Sequence, residues 1–110
     1  MVEPNPFVRF RERLDSYALA RAGGISDARF VELVTHLDDA VAEVDGRGFR
    51  ITPVLDGAEL ADAAGLDVEL VVKVEVANVG GSHKARHLMG VAIHLLVEET
   101  LGAEPAERLA

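Results

Sequence analysis

Apolar positions follow a helical period through the first third of the chain and a strand period over one short run in its second half. Phe7, Phe10, Leu14, Tyr17 and Ala18 predict a first helix from Phe7 to about Ala22, opened by Pro4-Asn5-Pro6 and stopped by Gly23-Gly24. Ser26 reads as an N-cap and Asp27 as a favourable first-turn acid. A second helix then carries Phe30, Val31, Val34, Leu37, Val41 and Val44 on one face and ends at Gly46. These two form a helical hairpin over residues 1–46. Its charged residues, Arg11, Arg13, Arg29, Glu32, Asp38 and Glu43, read as a solvated face.

The pattern changes at Gly46-Arg47-Gly48. Phe49 to Leu55 is short and extended, and Pro53 bars it from a central strand position. Asp56 to Ala64 predicts a small alanine-rich helix closed by Gly65. Leu66 to Val76 reads as one strand, with Leu70, Val72, Val74 and Val76 on one face and Val71 opposite beside Glu69, Lys73 and Glu75. A glycine turn follows, then a helix from about Lys84 to Leu101. Leu88, Met89, Val91, Ile93, Leu95, Leu96 and Val97 surround that last helix, which predicts burial on every side. Residues 47–110 therefore read as the opening of an α/β sheet that needs further strands.

Composition narrows the function. The 110 residues are 49% hydrophobic and 27% charged, one domain's worth of globular chain. Eleven Lys and Arg against nineteen Asp and Glu give a net charge of −8, which argues against nucleic-acid binding. No apolar run approaches the ~20 residues that span a bilayer, and the N-terminus has no signal-peptide pattern. With no cysteine, disulfides and thiolate metal sites are excluded, and a cytoplasmic protein is expected.

The richest window runs from Lys73 to Arg86: a strand, a glycine turn, and a lysine at the start of an apolar helix. A lysine there opposes the positive end of the helix dipole. The same field favours the neutral, nucleophilic form of an amine and leaves backbone N–H groups for a phosphate. Lys73 is expected to differ, as a paired, protonated amine beside Glu69 and Glu75. On spacing alone, a solvated lysine after a Gly-Gly turn is the favoured explanation of the pattern.

The spacing Lys73-x-Glu75-x-x-Asn78-x-x-Gly81-Ser82-x-Lys84-x-Arg86 resembles the cofactor-lysine motif of the fold type II pyridoxal-phosphate enzymes, the tryptophan synthase β-like family. Thr52-Pro53-Val54-Leu55 stands where that family has a Thr-Pro-Leu segment, and the likeness covers about residues 51–99. The resemblance implies pyridoxal 5′-phosphate as cofactor, Lys84 as its Schiff-base lysine and catalytic base, and His83 as a cofactor-binding neighbour. It also implies an amino-acid substrate undergoing α,β-elimination or β-replacement, and a homo-oligomeric full-length enzyme. Arg86 is expected to pair with Glu75 or Glu69 rather than to act in catalysis. The family's Ser/Thr-Gly-Asn loop, phosphate loop and pyridine-nitrogen partner have no counterpart here. The chain therefore reads as the N-terminal part of such an enzyme, inactive alone and prone to associate through Leu88, Met89, Leu95 and Leu96.

Two other readings compete. His83 with His87, and His94 with Glu98, have i, i+4 spacing, but His83 and His94 stand roughly 16 Å apart along a helix, too far to share one ion. A metal site is therefore not expected. A non-enzymatic helical interaction module, using the last helix as its partner surface, is the alternative to the enzyme reading.

Overall fold

The computed structural model describes residues 2–102; the following tail, where the next strand is expected to begin, lies outside the described residues. Helices and a small two-stranded sheet make up the fold, in keeping with a coarse α/β class. The helices are α1 (Pro6–Arg9), α2 (Asp15–Ala22), α3 (Asp27–Asp45), α4 (Ala58–Ala63) and α5 (Lys84–Thr100), with 3₁₀ turns at Arg11–Arg13 and Val79–Gly81. Strands β1 (Val54–Asp56) and β2 (Val71–Lys73) pair antiparallel, with Leu55 opposite Val72.

Local signals place several of these elements. Ser26 caps α3 by accepting the Arg29 N–H at 3.1 Å, and Gly46 ends it at φ +88°, a conformation favouring glycine. Asp27, at the first position of α3, accepts from Arg11 Nε at 2.6 Å and from Tyr17 Oη at 2.8 Å. The Arg11 guanidinium, helped by the tyrosine, holds the Asp27 carboxyl below the usual range.

The expected first helix is broken. Leu14 is extended (φ −88°, ψ 133°) between the 3₁₀ turn and α2. The break lets two short segments pack in different directions: Phe7 meets Phe49 edge-on at 5.2 Å, and Tyr17 meets Phe30 edge-on at 5.0 Å. Around these rings the core gathers Val8, Ala20, Val34, Val79 and the α5 residues Met89, Ile93 and Val97.

The expected strand over 66–76 contracts to Val71–Lys73, because its partner β1 lies between Pro53 and Gly57 and offers three residues. The face assignment survives in part: Leu70, Val72 and Val74 are half-buried and Val71 is exposed, but Val76 turns outward. The helix α5 is likewise not buried all round. Met89, Ile93 and Val97 form one buried stripe at i, i+4 spacing, while Leu88 is 66% exposed and Val91 43%. Met89 is thus unavailable as an association surface. The ribbon β1–α4–β2 contributes little to the shared core, and the radius of gyration is 17.2 Å, against about 13 Å for a compact chain of this size.

Asp38 departs from the solvated face assigned to it. It is buried, its Oδ1 accepts the Phe49 N–H at 2.7 Å, and Arg50 lies 3.7 Å from Oδ2. A side chain at Gly48 would begin 2.5 Å from that same Oδ2, so glycine is what lets the chain pass this close to α3. Asp38→Ala should leave a buried N–H unpaired and destabilise the protein by about 1–3 kcal/mol, while Asp38→Asn retains an acceptor and costs less. Urea denaturation of the two variants checks the order.

Candidate functional site

The segment singled out in the sequence folds around one carboxylate. Glu75 follows β2, and its Oε2 accepts from Arg86 Nε at 2.9 Å. Its Oε1 accepts from the Thr52 hydroxyl and lies 3.2 Å from Lys73 Nζ. The Thr52 hydroxyl in turn accepts from Lys73 Nζ and, at 3.2 Å, from Arg86 Nη2, so one donor and two acceptor sites are all in use. Lys73 Nζ also donates to the Thr52 carbonyl at 2.6 Å, and Arg86 Nη2 to the Arg50 carbonyl at 3.0 Å. Of the two pairings open to Arg86, the structure selects Glu75. Lys73 is the engaged amine expected of it.

Between this cluster and α5 lies the turn. Asn78 is buried, with Nδ2 donating to the Ser82 carbonyl at 2.6 Å and Oδ1 lacking a partner among the described residues. Gly80 and Gly81 both have positive φ, +68° and +71°, and the Gly80 N–H reaches Asp45 Oδ1 at 3.3 Å, tying the turn to the end of α3. Ser82 Oγ accepts the Lys84 N–H at 3.2 Å and so does the capping, although His83 holds the N-cap position.

Lys84 is the first residue of α5 and is exposed, as is His83 before it. Among the described residues the Lys84 amine has neither a hydrogen bond nor an ion pair. The chain contains two lysines, and the fold ties up Lys73 while leaving Lys84 open. Lys84 makes no direct contact with the Glu75 cluster; it is connected to it only through the helix backbone, Arg86 lying two residues along. His94 pairs with Glu98 at 2.7 Å on the later part of α5, separate from His83. Among the described residues no three His, Asp or Glu side chains gather as a metal-binding group, and no helix is long and apolar enough to cross a membrane.

Thr52 is the residue that the sequence undervalues. It appears there as half of a Thr-Pro pair, whereas in the fold its hydroxyl joins three charged side chains. No local periodicity marks it, since its partners lie 21 to 34 residues away.

Glu75 is held down to about 2, from an ordinary 4.5, chiefly by the Thr52 hydroxyl and then by Arg86, with Lys73 adding to both. A carboxylate lowered on folding stabilises the native state above its unfolded value and loses that contribution as pH falls toward its folded value. Stability should therefore drop between about pH 4.5 and pH 2 in the native chain, and Glu75→Gln should flatten that part of the profile while lowering stability at neutral pH. Thermal melts followed by circular dichroism across this window read both effects. Comparison with protein families, curated proteins and solved structures finds no match to the chain.

Proposed function

We propose that the chain is the lysine-bearing N-terminal portion of a pyridoxal-phosphate-dependent enzyme acting on an amino acid by α,β-elimination or β-replacement. The observation that carries this reading is the contrast between the two lysines. Lys73 is locked to Thr52 and Glu75, whereas Lys84 stands unpartnered at the start of a 17-residue helix, behind a turn that two left-handed glycines shape. These residues fit covalent attachment of an aldehyde cofactor.

When bound, the cofactor supplies an electron sink for the carbanion formed at the amino acid's Cα. Lys84 has two tasks in this scheme: its neutral amine holds the cofactor, and once released it takes and returns the Cα proton. His83, exposed one residue earlier, is the group for a phosphate oxygen. Glu75, Arg86 and Thr52 fix the angle at which α5 leaves the turn and so aim Lys84 without touching the reacting atoms.

The remaining contacts to ring, phosphate and substrate carboxylate fall to polypeptide beyond residues 2–102. The apolar surface that α5 and the ribbon leave uncovered supports that assignment, with Leu88 66% and Val71 59% exposed. A non-enzymatic interaction module shares this uncovered surface but gives Lys84 no reason to be the more reactive amine.

Treating the chain with pyridoxal 5′-phosphate and then borohydride, followed by peptide mapping, tests the reading. The label should fall on Lys84 and vanish in Lys84→Ala; preferential labelling of Lys73 overturns the assignment. His83→Phe should still be labelled at Lys84 but need more cofactor for half-saturation, by the equivalent of about 1–3 kcal/mol for a lost charge-assisted hydrogen bond. An unchanged half-saturation removes His83 from the site.

A further inference from the structure

A second feature of α5 faces away from the Leu88 side. Between this helix and the N-terminal segment lies an open cleft of about 380 Å³, within the size range of small-molecule sites. Phe7, Leu14 and Val91 form its apolar walls, and Gly90 lies between them. Arg86 and His87 line it from the start of α5 and His94 from further along that helix, with Asp15 and Ser16 contributed by α2.

Gly90 is the informative residue. A glycine in mid-helix costs about 1 kcal/mol relative to alanine, and tight packing is the usual compensation. None is found here: a Cβ at Gly90 would have no atom within 4 Å. The contacts of the described residues do not require glycine; beside the cleft it leaves the helix surface bare, with room for a small side chain but not for a large one.

The charge beside the cleft has a sign. Lys73 and Arg86 share the single carboxylate of Glu75, leaving one positive charge in excess in a chain whose net charge is −8. Arg86 is fixed through Nε and Nη2, while its Nη1 carries no further hydrogen bond among the described residues. A guanidinium already immobilised loses little freedom on taking a ligand. His87, exposed on the next residue, adds a second donor. The one acidic lining residue, Asp15, opens α2, whose far end lies against the C-terminal end of α5, where a Cβ at Gly23 would strike Leu101. Asp15 lines the same cleft and offsets part of that charge, so the carboxylate is placed at the two donors of α5 and not at the α2 end.

We propose that this cleft binds a small carboxylate with an apolar body, the carboxylate at Arg86 and His87 and the body over Gly90 between Phe7, Leu14 and Val91. The site is separate from the face on which Leu88 lies and does not depend on the chemistry assigned to Lys84.

Phenylacetate is a suitable probe and phenylacetamide its uncharged match. Heteronuclear NMR of the isotope-labelled chain should show saturable shifts of the Arg86, His87, Gly90 and Val91 amides with phenylacetate and not with phenylacetamide. Gly90→Leu, which fills the floor, should weaken binding at least about tenfold, and His87→Ala about threefold or more, whereas Gly90→Ala should retain it. Circular dichroism melts confirm that each variant folds. Equal binding of the amide, or undiminished binding by Gly90→Leu, overturns the proposal. So does an absence of saturable shifts, including the case in which Gly90→Leu alters sedimentation instead and the clearance at Gly90 serves close approach of another polypeptide.

Discussion

A carboxylate with three partners from three parts of the chain ties the extended segment and the ribbon to the start of α5. Glu75 joins Thr52 of the extended segment, Lys73 of the ribbon and Arg86 of α5, and each of these joins at least one other member or a nearby carbonyl. The edges share members, so the cluster is a connected network and not a set of separate surface ion pairs. Through it the ribbon, which adds little to the hydrophobic core, is bound to the helix that crosses that core. The glycine turn between them is closed at both ends, by Glu75 on one side and by Asp45 and Ser82 on the other.

The helix α5 serves two roles along its length. One stripe, Met89, Ile93 and Val97, is core. The remaining faces carry the open lysine, uncovered leucine and valine, and the glycine-floored cleft. A sequence apolar on nearly all sides, and buried here on one, has more nonpolar surface than residues 2–102 can cover. The enzyme proposal and its alternative both take that excess as a contact surface.

Sequence signals that depend on near neighbours were legible. Ser26, Asp27 and Gly46 mark the limits of α3, and the start of α5 at Lys84 follows from the glycine turn. Lys73 and Glu75 share a face at i, i+2, so their pairing could be read from alternation alone. What depends on distant partners was not legible. Apolar spacing runs straight through Leu14, yet the helix breaks there because Phe7 and Tyr17 serve different ring partners. Asp38 has the look of a surface acid until Phe49, eleven residues on, brings an N–H to it. The β-branched run over 66–76 has strand propensity throughout, but a ladder extends only as far as its partner. For Gly90 the signal was present, a glycine among strong helix formers; its meaning needed the space around it.

The thinness of the ribbon has a kinetic consequence. Three residue pairs make its ladder, and a two-stranded sheet is marginal in water without other support. Such a unit opens locally at a free energy well below that of global unfolding, so its amides exchange while those of α3 and α5 stay protected. Opening of β2 frees the Lys73 amine, but Glu75 and Arg86 lie outside the ladder and can keep the start of α5 in place. The difference in access between the two lysines is then a matter of time and temperature: the closed ribbon keeps the Lys73 amine engaged while Lys84 stays exposed, and Lys73 becomes accessible in proportion to the open population.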